Sequence, residues 1–123
     1  MLSLGNTLLI PTPPNNKEHL FIIIAIEKGS DVALLVNITS ATIACDNTCC
    51  VAIGEHPFVI HDSVINYGDS RITPIANLKY CLKNGMFRGH VPVSRKLLKK
   101  IQDGALISTA MRLKHQDFLR SNI

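Results

Sequence analysis

The sequence predicts a small, strongly bent β-barrel closed by a helical C-terminal part, in a single mainly β domain of the α+β class. Three observations predict it. Two continuous apolar, β-branched runs, Leu20–Ile26 and Val32–Thr39, are separated only by the turn residues "EKGSD". Further short apolar stretches follow, each ended by Gly, Pro, Asn or Asp. After Ser94 the apolar spacing changes from that of strands to that of a helix. The length of 123 residues fits one domain, and 46% hydrophobic residues supply one core.

Along the chain, Thr7–Pro11 is short and apolar, and "PTPPNN" breaks any regular element. Leu20–Ile26 and Val32–Thr39 read as a hairpin whose strands are buried on both faces, with Ile22, Ile24, Leu34 and Val36 in the core. "SATIACDN" reads as a loop and Thr48–Ile53 as a third strand. Phe58–Tyr67 begins as loop and ends as a short strand. "GDSRITP" reads as a turn into another short strand. Leu78–Phe87 is ambiguous, with Asn84-Gly85 offering a hairpin turn. Ser94 is a helix N-cap, after which Leu97, Leu98, Ile101 and Ala105 share one side. Gly104 either ends that helix or is tolerated inside it at about 1 kcal/mol. His115–Leu119 adds a last helical turn.

Charge is segregated. Residues 1–78 carry three basic residues against seven acidic ones. Residues 79–123 carry ten against Asp103 and Asp117. The basic helical part begins near residue 92. Arg95, Lys96, Lys99 and Lys100 fall on the side of the helix away from its apolar residues. Such a face suits nucleic acid or an acidic protein partner, or simply keeps the helix solvated. "MLSLGNTLLIPTPP" has neither a basic n-region nor a small-residue cleavage site, and no apolar run reaches the roughly 20 residues of a spanning helix. The expectation is a soluble cytoplasmic protein with no membrane contact.

Four cysteines are present. Cys45, Cys49 and Cys50 precede His56 and His61, but the spacing C-x3-C-C-x5-H-x4-H matches no common zinc knuckle. Cys49 and Cys50, adjacent in a strand, point to opposite faces. Buried free thiols are expected, with no metal and no other cofactor. One zinc per chain would instead make Cys45, Cys49, His56 and His61 its ligands.

The densest chemistry lies in "GEHPFVIHDSVINYGDSR", residues 54–71. The letters His-Asp-Ser at 61–63 are not a catalytic triad, because neighbours in an extended chain cannot all face one another. In an extended segment, however, His61, Ser63, Ile65 and Tyr67 share a face, and three of them handle protons. Histidine exchanges protons near neutral pH. Arg71 offers a fork for phosphate or carboxylate. The plainer alternative is a half-buried Tyr67 with histidines that cap loops.

"LGNTLLI", "EHLFIIIAI" and "VALLVNITSAT" resemble, in order and spacing over roughly residues 4–70, the PemK/MazF family of toxin endoribonucleases. The resemblance implies a small SH3-like barrel, often dimeric, that cuts single-stranded RNA without a metal and is held by an antitoxin protein. It places Thr39 of "NITS" at the family's threonine, with Ser40 beside it. His19 stands where the family has an arginine. The catalytic set expected joins His19 and Thr39, placed by the resemblance, to His56, His61, Ser63, Tyr67 and Arg71 of the polar stretch, with the basic helix as a nucleic-acid face. A non-catalytic SH3-like barrel that binds nucleic acid or an acidic protein through that helix is the alternative.

Overall fold

A computed structural model describes residues 2–123. Its elements are β1 (Thr7–Thr12), β2 (Lys17–Glu27), β3 (Val32–Ser40), β4 (Cys50–Val51), β5 (Ser63–Pro74), α1 (Ile75–Lys83), β6 (Arg88–His90), α2 (Arg95–Ile107) and α3 (Leu113–Ser121). The strands form one antiparallel sheet in the order β4-β5-β3-β2-β1-β6, curled into a half-barrel.

The hairpin of β2 and β3 lies at the middle of this sheet, and both its faces are covered. Leu20, Ile22, Leu34, Val36 and Ile38 point to the face packed by α2 and α3. Phe21, Ile23, Ala33 and Leu35 point to the other, where Ile75 and Leu78 of α1 cover them. Leu20 to Ala25 are all 0% exposed, which is why this strand reads as an unbroken apolar run rather than an alternating one. Each of its large side chains contributes about 1.5–3 kcal/mol by leaving water. A bulge falls at Ile24, between the pairs Ile23–Leu35 and Ala25–Leu34. The Ile24 carbonyl accepts a hydrogen bond from Gln102 of α2 at 2.9 Å.

Ser94 caps α2 by accepting from the Leu97 amide at 3.0 Å. Leu97 and Ile101 are buried as expected, whereas Leu98 is only partly covered. The helix runs straight through Gly104. Tyr67 crosses beneath it and donates its hydroxyl to the Ile101 carbonyl at 2.7 Å. A Cβ on Gly104 would overlap that hydroxyl and lie 3.2 Å from the Cys49 Cβ. The glycine is thus required by close approach, not by the end of a helix.

Other expectations are corrected. Asn84-Gly85 does not turn a hairpin. Gly85 (φ +74) ends α1, with Met86 N donating to Cys81 O and Gly85 N to Leu82 O, the Schellman arrangement. "GDSRITP" is no turn but the second half of β5. Between the pairs Leu35–Arg71 and Asn37–Asn66 the single residue Val36 faces four, Tyr67 to Ser70, so Gly68, Asp69 and Ser70 bulge out of the ladder. The third strand shrinks to Cys50–Val51. The final turn of helix grows into the nine residues of α3. No helix among the described residues is long and apolar enough to cross a membrane.

Candidate functional site

Three strand ends meet at one rim of the sheet: the start of β2, the end of β3 and the start of β5. The loop before β5 folds over them. Together they enclose a cleft of about 280 Å³, whose polar lining includes Lys17, His19, Thr39, Ser40, His61 and Ser63. Phe58 and Ile60 form its apolar wall. β1 and β2 stop here because Pro13 and Pro14 occupy the turn between them.

His19 is held in a defined tautomer. The Thr12 hydroxyl lies 2.9 Å from the Lys17 carbonyl, to which it donates, and 2.7 Å from His19 Nδ1. A hydroxyl has one proton, so Nδ1–H must be the donor in the second contact. Nε2 of neutral His19 then carries the lone pair, and no described group bonds it. An imidazole oriented through one nitrogen and free at the other is the arrangement a general base needs.

His61, exposed on the opposite wall, lies 3.3 Å through Nδ1 from the Asp62 carbonyl and 3.4 Å through Nε2 from Ser40 Oγ. The carbonyl can only accept, so Nδ1 bears a proton. Nε2 then either accepts from Ser40 or, in the doubly protonated ring, donates. Ser63, in contrast, donates its hydroxyl to the His61 carbonyl at 2.9 Å and is buried. It fixes the loop rather than facing substrate. Lys17 has no carboxylate partner among the described residues. Its neighbour Glu18 is held by Arg88 through two contacts of 2.5 and 3.2 Å, and this hydrogen-bonded guanidinium keeps its carboxyl below the usual range. The cleft therefore presents one free ammonium, two histidines and two hydroxyls.

The remaining candidates lie elsewhere. His56 is 3% exposed. Its Nδ1 accepts from the Phe58 amide at 3.0 Å, so the proton sits on Nε2, which donates to the Val91 carbonyl at 2.6 Å. Its ring also packs against His90, with centroids 5.2 Å apart. It pins the loop to the segment before α2. Tyr67 is sealed under α2, and burial drives its hydroxyl far above the ordinary phenol range. Arg71 lies over the Phe21 ring, 4.5 Å from its centroid, and 3.4 Å from Asp69. Neither reaches the histidine cleft.

On α2, all four basic residues are exposed. Lys99 pairs with Asp103 at 2.6 Å and Lys100 with Glu55 at 3.2 Å, leaving Arg95 and Lys96 without a carboxylate among the described residues. The four cysteines are free. Cys49 is buried and Cys50 exposed, although only Cys50 belongs to the strand expected to hold both. Burial pushes the Cys49 thiol up, which disfavours its thiolate. Among the described residues no three His, Cys, Asp or Glu side chains gather as a metal-binding group.

Sequence reasoning missed Thr12 and Lys17. Thr12 meets His19 only because β1 and β2 pair with Thr12 opposite Lys17 and Ile10 opposite His19. That register runs through a proline-rich turn with no hairpin signature. Neither a family model nor a curated protein sequence matches the chain, so the reading of this site rests on its own geometry.

Proposed function

We propose that the cleft cleaves single-stranded RNA by histidine acid–base chemistry, as a toxin-type endoribonuclease with an antitoxin protein as partner. The observation that carries this reading is the pinned His19, facing His61 across one small cleft beside an unpaired lysine. Self-cleavage of RNA at a phosphodiester needs three things: a base for the 2′-hydroxyl, an acid for the leaving 5′-oxygen, and donors for the phosphate oxygens. His19 Nε2 takes the 2′ proton. The 2′-oxygen then attacks phosphorus. His61, protonated, gives its proton to the 5′-oxygen as that P–O bond breaks, leaving a 2′,3′-cyclic phosphate and a 5′-hydroxyl. Lys17, Thr39 and Ser40 supply charge and hydrogen bonds to the phosphate. The 2′-hydroxyl requirement selects RNA over DNA. No step of this scheme calls on a metal.

The deciding assay incubates the purified protein with mixed single-stranded RNA and maps the ends. The expected products carry cyclic phosphate and 5′-hydroxyl ends, with rates bell-shaped in pH and unchanged by EDTA. Absence of cleavage over a broad pH range overturns the proposal. The unpaired Arg95 and Lys96 favour, in that case, the second reading: a small barrel that binds an anionic partner along α2 without cutting it.

A further inference from the structure

Outside the histidine cleft, a larger depression of about 620 Å³ lies between the bulge of β5 and the start of α3. Its charged and titratable lining is Asp69, Arg71, Arg112, Lys114 and His115, with the Ser70 hydroxyl among them. Asp69 is the one carboxylate. It accepts from Asn37 Nδ2 at 2.8 Å and pairs with Arg71, so it is already occupied. Arg112 and Lys114 are exposed and have no carboxylate partner among the described residues. The cleft therefore keeps uncompensated positive charge in a concave setting, whereas the unpaired Arg95 and Lys96 of α2 stand on an exposed helix face. His115 senses this charge. Burial first, and then Arg112 and Lys114, hold its ring below the usual histidine range, while its Nδ1 lies 2.6 Å from Ser70 Oγ.

A third depression lies between these two. Thr39 and Ser40, on the rim of the histidine cleft, also line a shallow trough that continues to Asn66 and Ala110. Gly68, in the wall of the basic cleft, sits against those same two residues: a Cβ there would lie 3.6 Å from Asn66 Oδ1 and 3.9 Å from the Ala110 Cβ. Along β5, Ser63 and Ser70 are seven residues apart, at most roughly 23 Å at about 3.3 Å per residue. That is a path for an extended chain of several units, with hydroxyl and amide groups along it, one carboxylate, Asp46, that is already engaged by Thr48 and Ser108, and cations at its far end.

We propose that the basic cleft binds backbone phosphate of the same RNA strand whose bond is cut in the histidine cleft, through Arg112 and Lys114. This rests on the endoribonuclease reading above. Phosphate is favoured over an acidic peptide because the trough leads from the proposed scissile bond, and because a guanidinium beside an ammonium and hydroxyls matches tetrahedral phosphate oxygens.

The test uses the Arg112→Gln/Lys114→Gln variant of the full chain, whose changed side chains are exposed, and a dodecameric single strand of 2′-O-methyl-uridine, which cannot be cleaved. Parent protein should bind it with a steep salt dependence. The double variant should bind about tenfold more weakly, and its slope in log K against log salt should fall by about 1.4, about 0.7 for each lost phosphate contact. On cleavable RNA its KM should rise for long strands, while a dinucleotide, too short to reach the cleft, should be cut at the parental rate. Equal binding and equal slopes in parent and variant overturn the site, as does failure of the parent to bind. If oligoglutamate binds in place of RNA and is lost in the variant, the cleft serves an acidic protein and the RNA assignment is wrong. If the parent binds RNA through these residues yet cuts none, the phosphate site stands and the endoribonuclease reading falls.

Discussion

The histidine cleft and the seam beneath α2 each take polar side chains from residues 56–67, yet one is open and the other sealed. At the cleft, His19 keeps Nε2 unbonded, and exposed His61 is held only by long contacts, 3.3 Å to the Asp62 carbonyl and 3.4 Å to Ser40 Oγ. At the seam, Tyr67 is committed to the Ile101 carbonyl, and His56, at the edge of the same layer, has both ring nitrogens engaged with backbone. The difference is coverage. α2 lies close over Tyr67 because Gly104 lets it, whereas the strand ends at the rim are flanked only by the loop before β5, which leaves a cleft open. A buried polar group must be fully bonded to be tolerated, and a fully bonded group has nothing left for chemistry.

The largest expected contrast is among the histidines. His19→Ala or His61→Ala should lower RNA cleavage by about 10²–10⁴-fold with little change in melting temperature. His56→Ala should do the reverse. It orphans backbone groups, costs about 1–3 kcal/mol of stability, and leaves cleavage per folded molecule nearly intact. Rates and melting curves on all three variants would break the comparison if His56→Ala proved the catalytic loss.

Next is the seam. Gly104→Ala should destabilise by about 1–3 kcal/mol or more, as overpacking does. Tyr67→Phe removes the overlapping hydroxyl, so Gly104→Ala should cost less in that background. Denaturant titration of the double-mutant cycle measures this coupling. Additive effects would mean that α2 and Tyr67 are not in close contact.

The pinning of His19 predicts a smaller loss. Thr12→Val should reduce kcat by about 10–100-fold, the range for partners that orient an imidazole, with KM unchanged. Thr12→Ser should restore most of it. If Thr12→Val cuts at the parental rate, the hydrogen bond does not prepare His19.

The smallest effect is a pH dependence at the basic cleft. Burial and the neighbouring Arg112 and Lys114 depress the His115 pKa in the folded state. The unfolded chain therefore takes up the proton first, and stability falls as pH drops through about 6.5, the unperturbed histidine value. His115→Gln should flatten the difference in stability between pH 7.5 and pH 5.5, measured by urea titration. Lowered carboxyls such as Glu55, hydrogen-bonded by the Ala52 amide and Lys100, act at more acid pH and remain in the variant.

Local pattern alone determined the central hairpin, its burial on both faces, the Ser94 cap and the choice of His61 as a candidate, while His19 and Thr39 came from the resemblance in strand order. The former follow from periodicity, turn chemistry and side-chain type, which act over a few residues. Only the tertiary structure decided which polar residues are free. Asn84-Gly85 suits a hairpin turn and a helix end equally, and packing of Ile75 and Leu78 on the sheet selected the helix. The bulge at Gly68–Ser70 breaks the alternation that a face-by-face reading of β5 relies on. Thr12 reaches His19 through strand register, and Tyr67 is closed off by a helix 34 residues away in sequence. Availability for chemistry depends on what covers a group and what already bonds it, and those partners come from distant parts of the chain.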